Sequence, residues 1–174
     1  MTSLKINKST INIKTVIFDF DGTLAKLNID FHQMRETVIE LILSYGINGN
    51  ELYTDYVLEM INDAAIILNQ RSTEKAKIFT KEANAIIEKI EIEAANDGEL
   101  FSRTRELLND LKSQKILCGI ITRNCAKAVK TIFPDILSYC PVVVCRDDVK
   151  NVKPNPQHLY TALNKLGSSP QNTL

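Results

Sequence analysis

The sequence lacks an excess of charge of either sign. It contains 21 Lys and Arg residues against 21 Asp and Glu residues, so its formal net charge is zero. Proteins that bind nucleic acid or an anionic membrane surface usually carry a surplus of Lys and Arg, because these side chains neutralise phosphates. The composition therefore argues against both kinds of partner, and any affinity for an anion must come from a local site.

Long hydrophobic runs and secretory signals are missing as well. No apolar run approaches the roughly 18 residues that cross a bilayer. Residues 1–13 contain neither a continuous apolar stretch nor a small-residue cleavage site. With 44% hydrophobic and 24% charged residues, the chain has the composition of an ordinary globular domain rather than a disordered one. We therefore expect a folded cytoplasmic protein.

The spacing of the four cysteines does not suit a metal site. The four residues are Cys118, Cys125, Cys140 and Cys145, which form none of the CxxC pairs typical of zinc sites. A free thiol within or beside an apolar run packs as a small hydrophobic group. We predict four reduced, structural cysteines, which agrees with a cytoplasmic protein.

Three short apolar runs, at residues 15–18, 116–121 and 142–145, each end in polar residues. A run that is apolar at every position is typical of a strand buried on both faces, as in a parallel sheet covered by helices. In such sheets, ligands bind at the carboxyl ends of the strands. The polar residues that follow each run are therefore the candidates for function.

A long helical stretch separates the first two runs. Apolar residues recur at helical spacing in three blocks, within residues 31–45, 57–68 and 76–94. Asp30 is a candidate N-cap, and Gly46 a stop signal, for the first of them. A crossover between parallel strands needs only about a dozen residues, so residues 26–100 are better interpreted as an inserted helical domain.

Further helices are expected around the other two runs, with N-caps at Ser102 and Asn155 and a start near Asn124. The order of elements predicts an α/β protein: a Rossmann-like parallel sheet with helices on both faces. Residues 1–25 and 101–174 would form this core, and residues 26–100 a small all-helical cap domain inserted after the first strand.

The strongest chemical signal is Asp19-Phe20-Asp21-Gly22-Thr23, directly after the first run. A turn at Gly22 lets the chain redirect the second carboxylate. In that arrangement Asp19 can act as a nucleophile, while Asp21 can donate a proton to the leaving oxygen and later take one from water. Two carboxylates this close repel each other and an incoming phosphate, so such a pair needs a cation.

The DxDGT pattern resembles the first motif of the haloacid dehalogenase-like (HAD) superfamily of phosphatases. Thr122, after an apolar strand, is similar to the second motif, and Lys153, shortly before a helix, is similar to the third. The helical insertion resembles the cap domain of the phosphoglycolate phosphatase-like branch. Together these matches extend over nearly the whole chain.

The resemblance implies a role for each matching residue. Asp19 would become a transient aspartyl phosphate, with Asp21 as general acid and base, and both residues would hold Mg²⁺. Thr122 and the amide of Arg123 would bind the phosphoryl oxygens, while Lys153 would neutralise them and steady Asp19. The implied function is Mg²⁺-dependent hydrolysis of a small phosphorylated metabolite. Asp21 favours phosphate esters over carbon–halogen bonds, whose cleavage needs no proton donor.

The fourth motif of the family, an acidic pair that usually begins Gly-Asp, has no match after Lys153. We therefore expect a C-terminally incomplete core, weak binding of Mg²⁺ and a chain that is weakly active or inactive as it stands. The first strand should also have an unpaired edge. A second copy of the chain, a local rearrangement, residues 11–13 or polypeptide outside this sequence would have to cover that edge.

Three functions remain open at this point. The first is the phosphatase, which the presence of both Asp19 and Asp21 favours. The second is a non-catalytic relative that binds phosphate or associates with another chain through the sheet edge. The third is a phosphomutase, because an aspartyl phosphate can pass to a sugar instead of water. The cap sequence does not identify a substrate.

The sequence contains only two histidines, His32 and His158. Each lies near the start of a predicted helix, and neither has a partner at the spacing of a metal site or a catalytic triad. We therefore interpret both as surface residues.

Overall fold

The computed structural model describes residues 13–48, 54 and 56–174. The strands among them are β1 (Thr15–Phe18), β2 (Ala25–Lys26), β3 (Glu99–Leu100), β4 (Leu117–Ile121) and β5 (Val142–Val144). The helices are α1 (Phe31–Ser44), α2 (Val57–Arg71), α3 (Thr73–Asn96), α4 (Thr104–Ser113), α5 (Ala126–Ile132) and α6 (Pro156–Leu166).

By its internal contacts the chain divides into two units. The described part of the first, the sheet unit, comprises residues 13–25, 100–126 and 133–174. The second, the helical unit, comprises the described residues of 26–99 together with 127–132, which are nearly all of α5. The division of the chain into a core and an inserted cap domain stays a prediction.

The sheet unit is built on three parallel strands in the order β1-β4-β5. Helix α6 packs on β4 and β5, where Val142, Val144 and Ala162 form a buried apolar cluster. Helix α4 packs on β4, and helices lie on both sides of the sheet. The α/β class and the parallel sheet expected from the three apolar runs are therefore confirmed.

We expected an unpaired outer edge on β1, but the first residues of this edge are paired. The main chain of Leu174 donates to the Thr15 carbonyl at 3.0 Å and accepts from Ile17 N–H at 2.8 Å, and Lys14 N–H donates to Asn172. This local pairing satisfies main-chain groups that would otherwise be exposed at a sheet edge. Residues 11–13 were one of the alternatives for covering this edge, and residues 11 and 12 lie outside the described residues.

Most of the predicted helix ends agree with the structure. The side chains of Asp30 and Asn155 each accept a main-chain N–H of the first turn that follows, both at 2.9 Å. Helix α6 ends at Gly167, whose φ of +63° favours glycine. The cap predicted at Ser102 is wrong: Arg103 is the N-cap of α4 and makes no side-chain capping bond.

The helical unit buries one face of each long helix. Helices α1, α2 and α3 each contact the other two. Their fully buried side chains include Val38, Ile42, Ala64, Phe79, Ala83 and Ile87. The three amphipathic helices predicted between the first two apolar runs are confirmed. None of the helices in the described part of the chain is long and apolar enough to span a membrane.

All four cysteines are buried free thiols, as expected from their apolar surroundings. Each of them lies in the sheet unit. The neighbouring Cys118 thiol, together with burial, raises the pKa of the Cys140 thiol. These thiols therefore belong to the packed core of that unit.

Candidate active site

The loop that follows β1 is held in a tight reversal by its own main chain. Phe20 is fully buried, and its carbonyl accepts the N–H groups of residues 23–25 at 2.9–3.3 Å. Gly22 has a φ of +74°, in the left-handed region that glycine adopts without steric cost. The reversal places Asp19 directly at the end of β1 and Asp21 within the turn.

A second set of bonds ties this loop to the start of α4. The carbonyl of Leu24 accepts the hydroxyl of the buried Thr104 at 2.6 Å and the N–H of Phe101 at 3.1 Å. A buried hydroxyl that donates to a carbonyl gains a hydrogen bond and avoids the cost of lying unpaired. The loop carrying both aspartates is therefore anchored at its far end.

Asp19 and Lys153, which are 134 positions apart in the sequence, form an ion pair in the structure. The Asp19 Oδ1 lies 2.5 Å from the Lys153 Nζ and also accepts the N–H of Phe20 at 2.7 Å. The ammonium donates in addition to the Ile121 carbonyl, at the end of β4. Because 46% of the Asp19 side chain is exposed, an approaching ligand can reach its carboxylate.

Thr122 lies at the end of β4 and is almost completely buried. Its N–H donates to the Val144 carbonyl at 3.0 Å, and its Oγ1 accepts the N–H of Asn124 at 3.2 Å. A hydroxyl that accepts one hydrogen bond still carries its own O–H donor. Thr122 can therefore hold its loop in place and donate to an anion.

Two arginines link the loops that follow the strands. Arg123 Nη1 donates to the Lys153 carbonyl at 3.1 Å, and Arg146 Nη1 donates to the Arg123 carbonyl at 3.2 Å. These bonds connect the segments after β4 and β5 to the loop before α6. They also bring positive charge to the end of the sheet at which Asp19 lies.

The five residues predicted for the site all lie in loops after strands of the sheet unit or before α6. The structure brings Asp19 into contact with Lys153, and Arg123 into contact with the Lys153 main chain. Thr122 ends the strand next to β1, and Asp21 stands in the turn that Phe20 closes. The roles given to these residues stay predictions.

His158 was interpreted as a surface residue, and this interpretation is wrong. Its side chain is fully buried, with Nδ1 3.0 Å from the Lys153 main-chain nitrogen and Nε2 2.9 Å from the Val144 carbonyl. The pKa of His158 is lowered, mainly because the ring is buried. The only sequence signal was its place in the first turn of α6, five positions after Lys153. His32, by contrast, is exposed as expected.

The oxygens of this site fit a hard divalent cation in kind, but few are present. In the described residues, no group of three or more His, Cys, Asp and Glu side chains forms a metal site. The Asp19 carboxylate and the Asp21 main-chain carbonyl remain as oxygen donors. Mg²⁺ binds through one or two carboxylates, keeps several waters and takes up substrate phosphates. The donors present are therefore of the kind that suits Mg²⁺.

A sequence profile of the haloacid dehalogenase-like hydrolases matches residues 16–174. The match includes the Asp19 loop, Thr122 and Lys153. The chain belongs to the haloacid dehalogenase-like hydrolase family. The family and the fold expected from the three motifs are thereby confirmed.

Curated relatives of this haloacid dehalogenase-like hydrolase include two enzymes named for phosphate chemistry. It is 25% identical to the phosphoglycolate phosphatase of Salmonella typhi over an alignment of 187 positions, which covers 94% of this chain and 73% of the relative. It is 27% identical to the pyrophosphatase PpaX of Halalkalibacterium halodurans, with 94% of this chain and 74% of that protein covered.

Solved structures show the same fold. The crystal structure of CbbY from Rhodobacter sphaeroides in complex with phosphate aligns with a TM-score of 0.55 at 18% identity, covering 93% of this chain and 76% of CbbY. A haloacid dehalogenase-like hydrolase from Bacteroides fragilis aligns with a TM-score of 0.56 at 22% identity, covering 93% and 77%.

Proposed function

We propose that this protein is a Mg²⁺-dependent phosphatase that hydrolyses a small phosphorylated metabolite through an aspartyl phosphate on Asp19. The observation that carries the proposal is the Lys153 ammonium 2.5 Å from the Asp19 Oδ1, at the carboxyl end of a parallel sheet. A fixed cation there offsets the repulsion between the carboxylate and an incoming phosphate. Phosphoryl transfer depends mainly on such positioning and charge neutralisation.

The reaction has two steps. A carboxylate oxygen of Asp19 attacks phosphorus, the ester P–O bond breaks, and Asp21 donates its proton to the leaving oxygen. Water then attacks the phosphorus of the aspartyl phosphate and passes a proton to Asp21. This second step releases inorganic phosphate, restores the Asp19 carboxylate and returns Asp21 to its protonated state.

Donors for the phosphoryl oxygens lie after β4. The Thr122 hydroxyl and the Arg123 N–H are the groups proposed to bind them. The Thr122 Oγ1 accepts the N–H of Asn124 at 3.2 Å, so its own O–H is available to donate to a phosphoryl oxygen.

Mg²⁺ would be held by the Asp19 carboxylate and the Asp21 main-chain carbonyl, and would neutralise charge on the transferring group. Because these are few donors, we expect the rate to rise with Mg²⁺ over a wide range of concentration. The names of the two curated relatives, and the phosphate in the CbbY structure, support phosphate as the group acted on.

The test is hydrolysis of p-nitrophenyl phosphate by the unchanged chain, with and without Mg²⁺, and by two variants. Asp19→Asn removes the nucleophile and should reduce the rate of the unchanged chain, which we expect to be low, to that of the uncatalysed reaction. Asp97→Asn, a matched change at an exposed aspartate of the helical unit, should leave the rate unchanged.

Two results would contradict the proposal. Binding of inorganic phosphate without any hydrolysis would indicate a non-catalytic relative. Transfer of the phosphoryl group to an added sugar in preference to water would indicate a phosphomutase.

A further inference from the structure

The proposed reaction assigns no role to His158, although its side chain is fully buried beside the site. The imidazole bridges the loop before α6 and the end of β5. Its Nδ1 lies 3.0 Å from the main-chain nitrogen of Lys153, and its Nε2 lies 2.9 Å from the carbonyl oxygen of Val144. Both ring nitrogens therefore have a main-chain partner.

These two partners define the protonation state of the ring. The N–H of Lys153 can only donate, so Nδ1 accepts, and the Val144 carbonyl can only accept, so Nε2 carries the proton. Only the neutral Nε2–H tautomer of His158 makes both bonds. Burial and the charge of Lys153 lower its pKa, opposed by the Val144 carbonyl and by Asp148 and Asp19.

Lys153 is held at both its main chain and its side chain. His158 binds its N–H and Arg123 binds its carbonyl, while the ammonium contacts Ile121 and Asp19. A lysine side chain is a flexible four-carbon stem. The position of its ammonium therefore depends on how firmly the main chain beneath it is fixed.

The bond to Val144 connects this lysine to the proposed phosphate loop. The Val144 carbonyl accepts two donors, the Nε2–H of His158 and the N–H of Thr122. One oxygen atom at the end of β5 thus holds the loop of Thr122 directly and that of Lys153 through the imidazole. The Val144 carbonyl therefore helps to fix the distance between Thr122 and Lys153, the two residues proposed to bind phosphate.

We propose that neutral His158 is a positioning residue, which holds the Lys153 main chain on the end of β5 so that the ammonium stays against Asp19. The inference rests on the proposed function, because it gives Lys153 its role beside the phosphorylated carboxylate. His158 itself touches neither substrate nor the reacting atoms.

Two substitutions separate the two bonds of the ring. In His158→Asn, the side-chain oxygen occupies the place of Nδ1 and keeps an acceptor for the Lys153 N–H. In His158→Gln, the side-chain nitrogen occupies the place of Nε2 and keeps a donor for Val144. Both variants lose one of two hydrogen bonds, so a merely structural role predicts similar effects on stability and activity.

We expect kcat for p-nitrophenyl phosphate to fall about tenfold or more in His158→Gln, because a small displacement of a catalytic group is costly. In His158→Asn it should stay within about threefold of the parent. Similar losses of kcat in the two variants, in step with their melting temperatures, would overturn the inference. So would a larger loss in His158→Asn.

NMR of the chain labelled with ¹⁵N-histidine provides a readout that needs no turnover. The unchanged protein should show His158 as the neutral Nε2–H tautomer at neutral pH, and a protonated or Nδ1–H ring would overturn the inference even if neither variant folds. Absence of hydrolysis by the unchanged chain at saturating Mg²⁺ would overturn the proposed function alone. In that case the main-chain amide resonance of Lys153 tests the positioning role. The resonance should shift in His158→Gln and stay close to its parent position in His158→Asn. Equal shifts in the two variants would refute the positioning role.

Discussion

Replacing Lys153 by methionine should separate the catalytic use of this side chain from its contribution to stability. The change keeps a long unbranched stem and removes the ammonium. What is lost is the 2.5 Å ion pair with Asp19 and the 3.3 Å hydrogen bond to the Ile121 carbonyl. The main-chain bonds of Lys153 to His158 and Arg123 do not depend on the ammonium.

The effect on stability should be small because solvent reaches both charges. The side chains of Lys153 and Asp19 are 27% and 46% exposed. In the dielectric of water, two unit charges at this separation attract by about 1.7 kcal/mol. Losses of side-chain entropy and hydration reduce measured values for exposed pairs to about 0.2–1 kcal/mol. We expect Lys153→Met to lower the free energy of unfolding by no more than about 1 kcal/mol.

The effect on turnover should be much larger. In the proposed reaction the ammonium would face a phosphoryl group that carries more negative charge than the carboxylate alone. Removing one fixed donor from such a site typically lowers kcat about 10²–10³-fold, which is about 2.7–4 kcal/mol of transition-state stabilisation. The expected loss in catalysis thus exceeds the expected loss in stability severalfold.

The assay is kcat for p-nitrophenyl phosphate together with urea denaturation of the same preparation. Lys150→Met is the matched control, because Lys150 is an exposed lysine in the segment that precedes Lys153. It should change neither quantity. A variant Lys153→Met that unfolds easily but keeps its kcat would refute the reasoning, as would an equal loss of kcat in Lys150→Met.

Two further predictions concern stability. The pKa of His158 is lower in the folded state than in the unfolded chain, so the unfolded chain binds the proton first as the pH falls. The contribution of neutral, buried His158 to the free energy of unfolding is therefore complete above pH 6.5 and is lost as the pH falls through the folded-state pKa. Urea denaturation between about pH 7.5 and 5 should show this slope, and an unchanged slope in His158→Asn would contradict it. In Gly119→Ala, the new Cβ would lie 2.8 Å from Leu166 Cδ1, so we expect a loss of about 1–3 kcal/mol. Leu166→Ala in the same chain should relieve part of it, and strict additivity of the two changes would rule out this contact as the cause.

The parallel sheet could be predicted because its strands are buried on both faces. Such strands appear in the sequence as unbroken apolar runs, and the ends of β1 were predicted to the residue. Strands β2 and β3 have only two residues each, too few for any periodic signal, and were missed. The cap of α4 was misplaced because Ser102 has the right chemistry, whereas the local backbone begins the helix after Arg103.

The contact between Asp19 and Lys153 was expected only from the family resemblance, which implies that Lys153 steadies Asp19. The burial of His158 could not be predicted in this way. A polar residue in the first turn of a helix usually faces solvent, whereas here the helix packs on β4 and β5 and His158 is buried. The pairing of β1 with residues 172–174 was missed because three residues carry no strand pattern.

The buried thiols make the two units distinguishable in solution. Every cysteine lies in the sheet unit, and the helical unit has none. A thiol reagent can therefore modify the protein only when residues of the sheet unit become exposed to solvent. Pulse labelling with an alkylating reagent would measure the opening free energy of the sheet unit by itself, with no engineered probe.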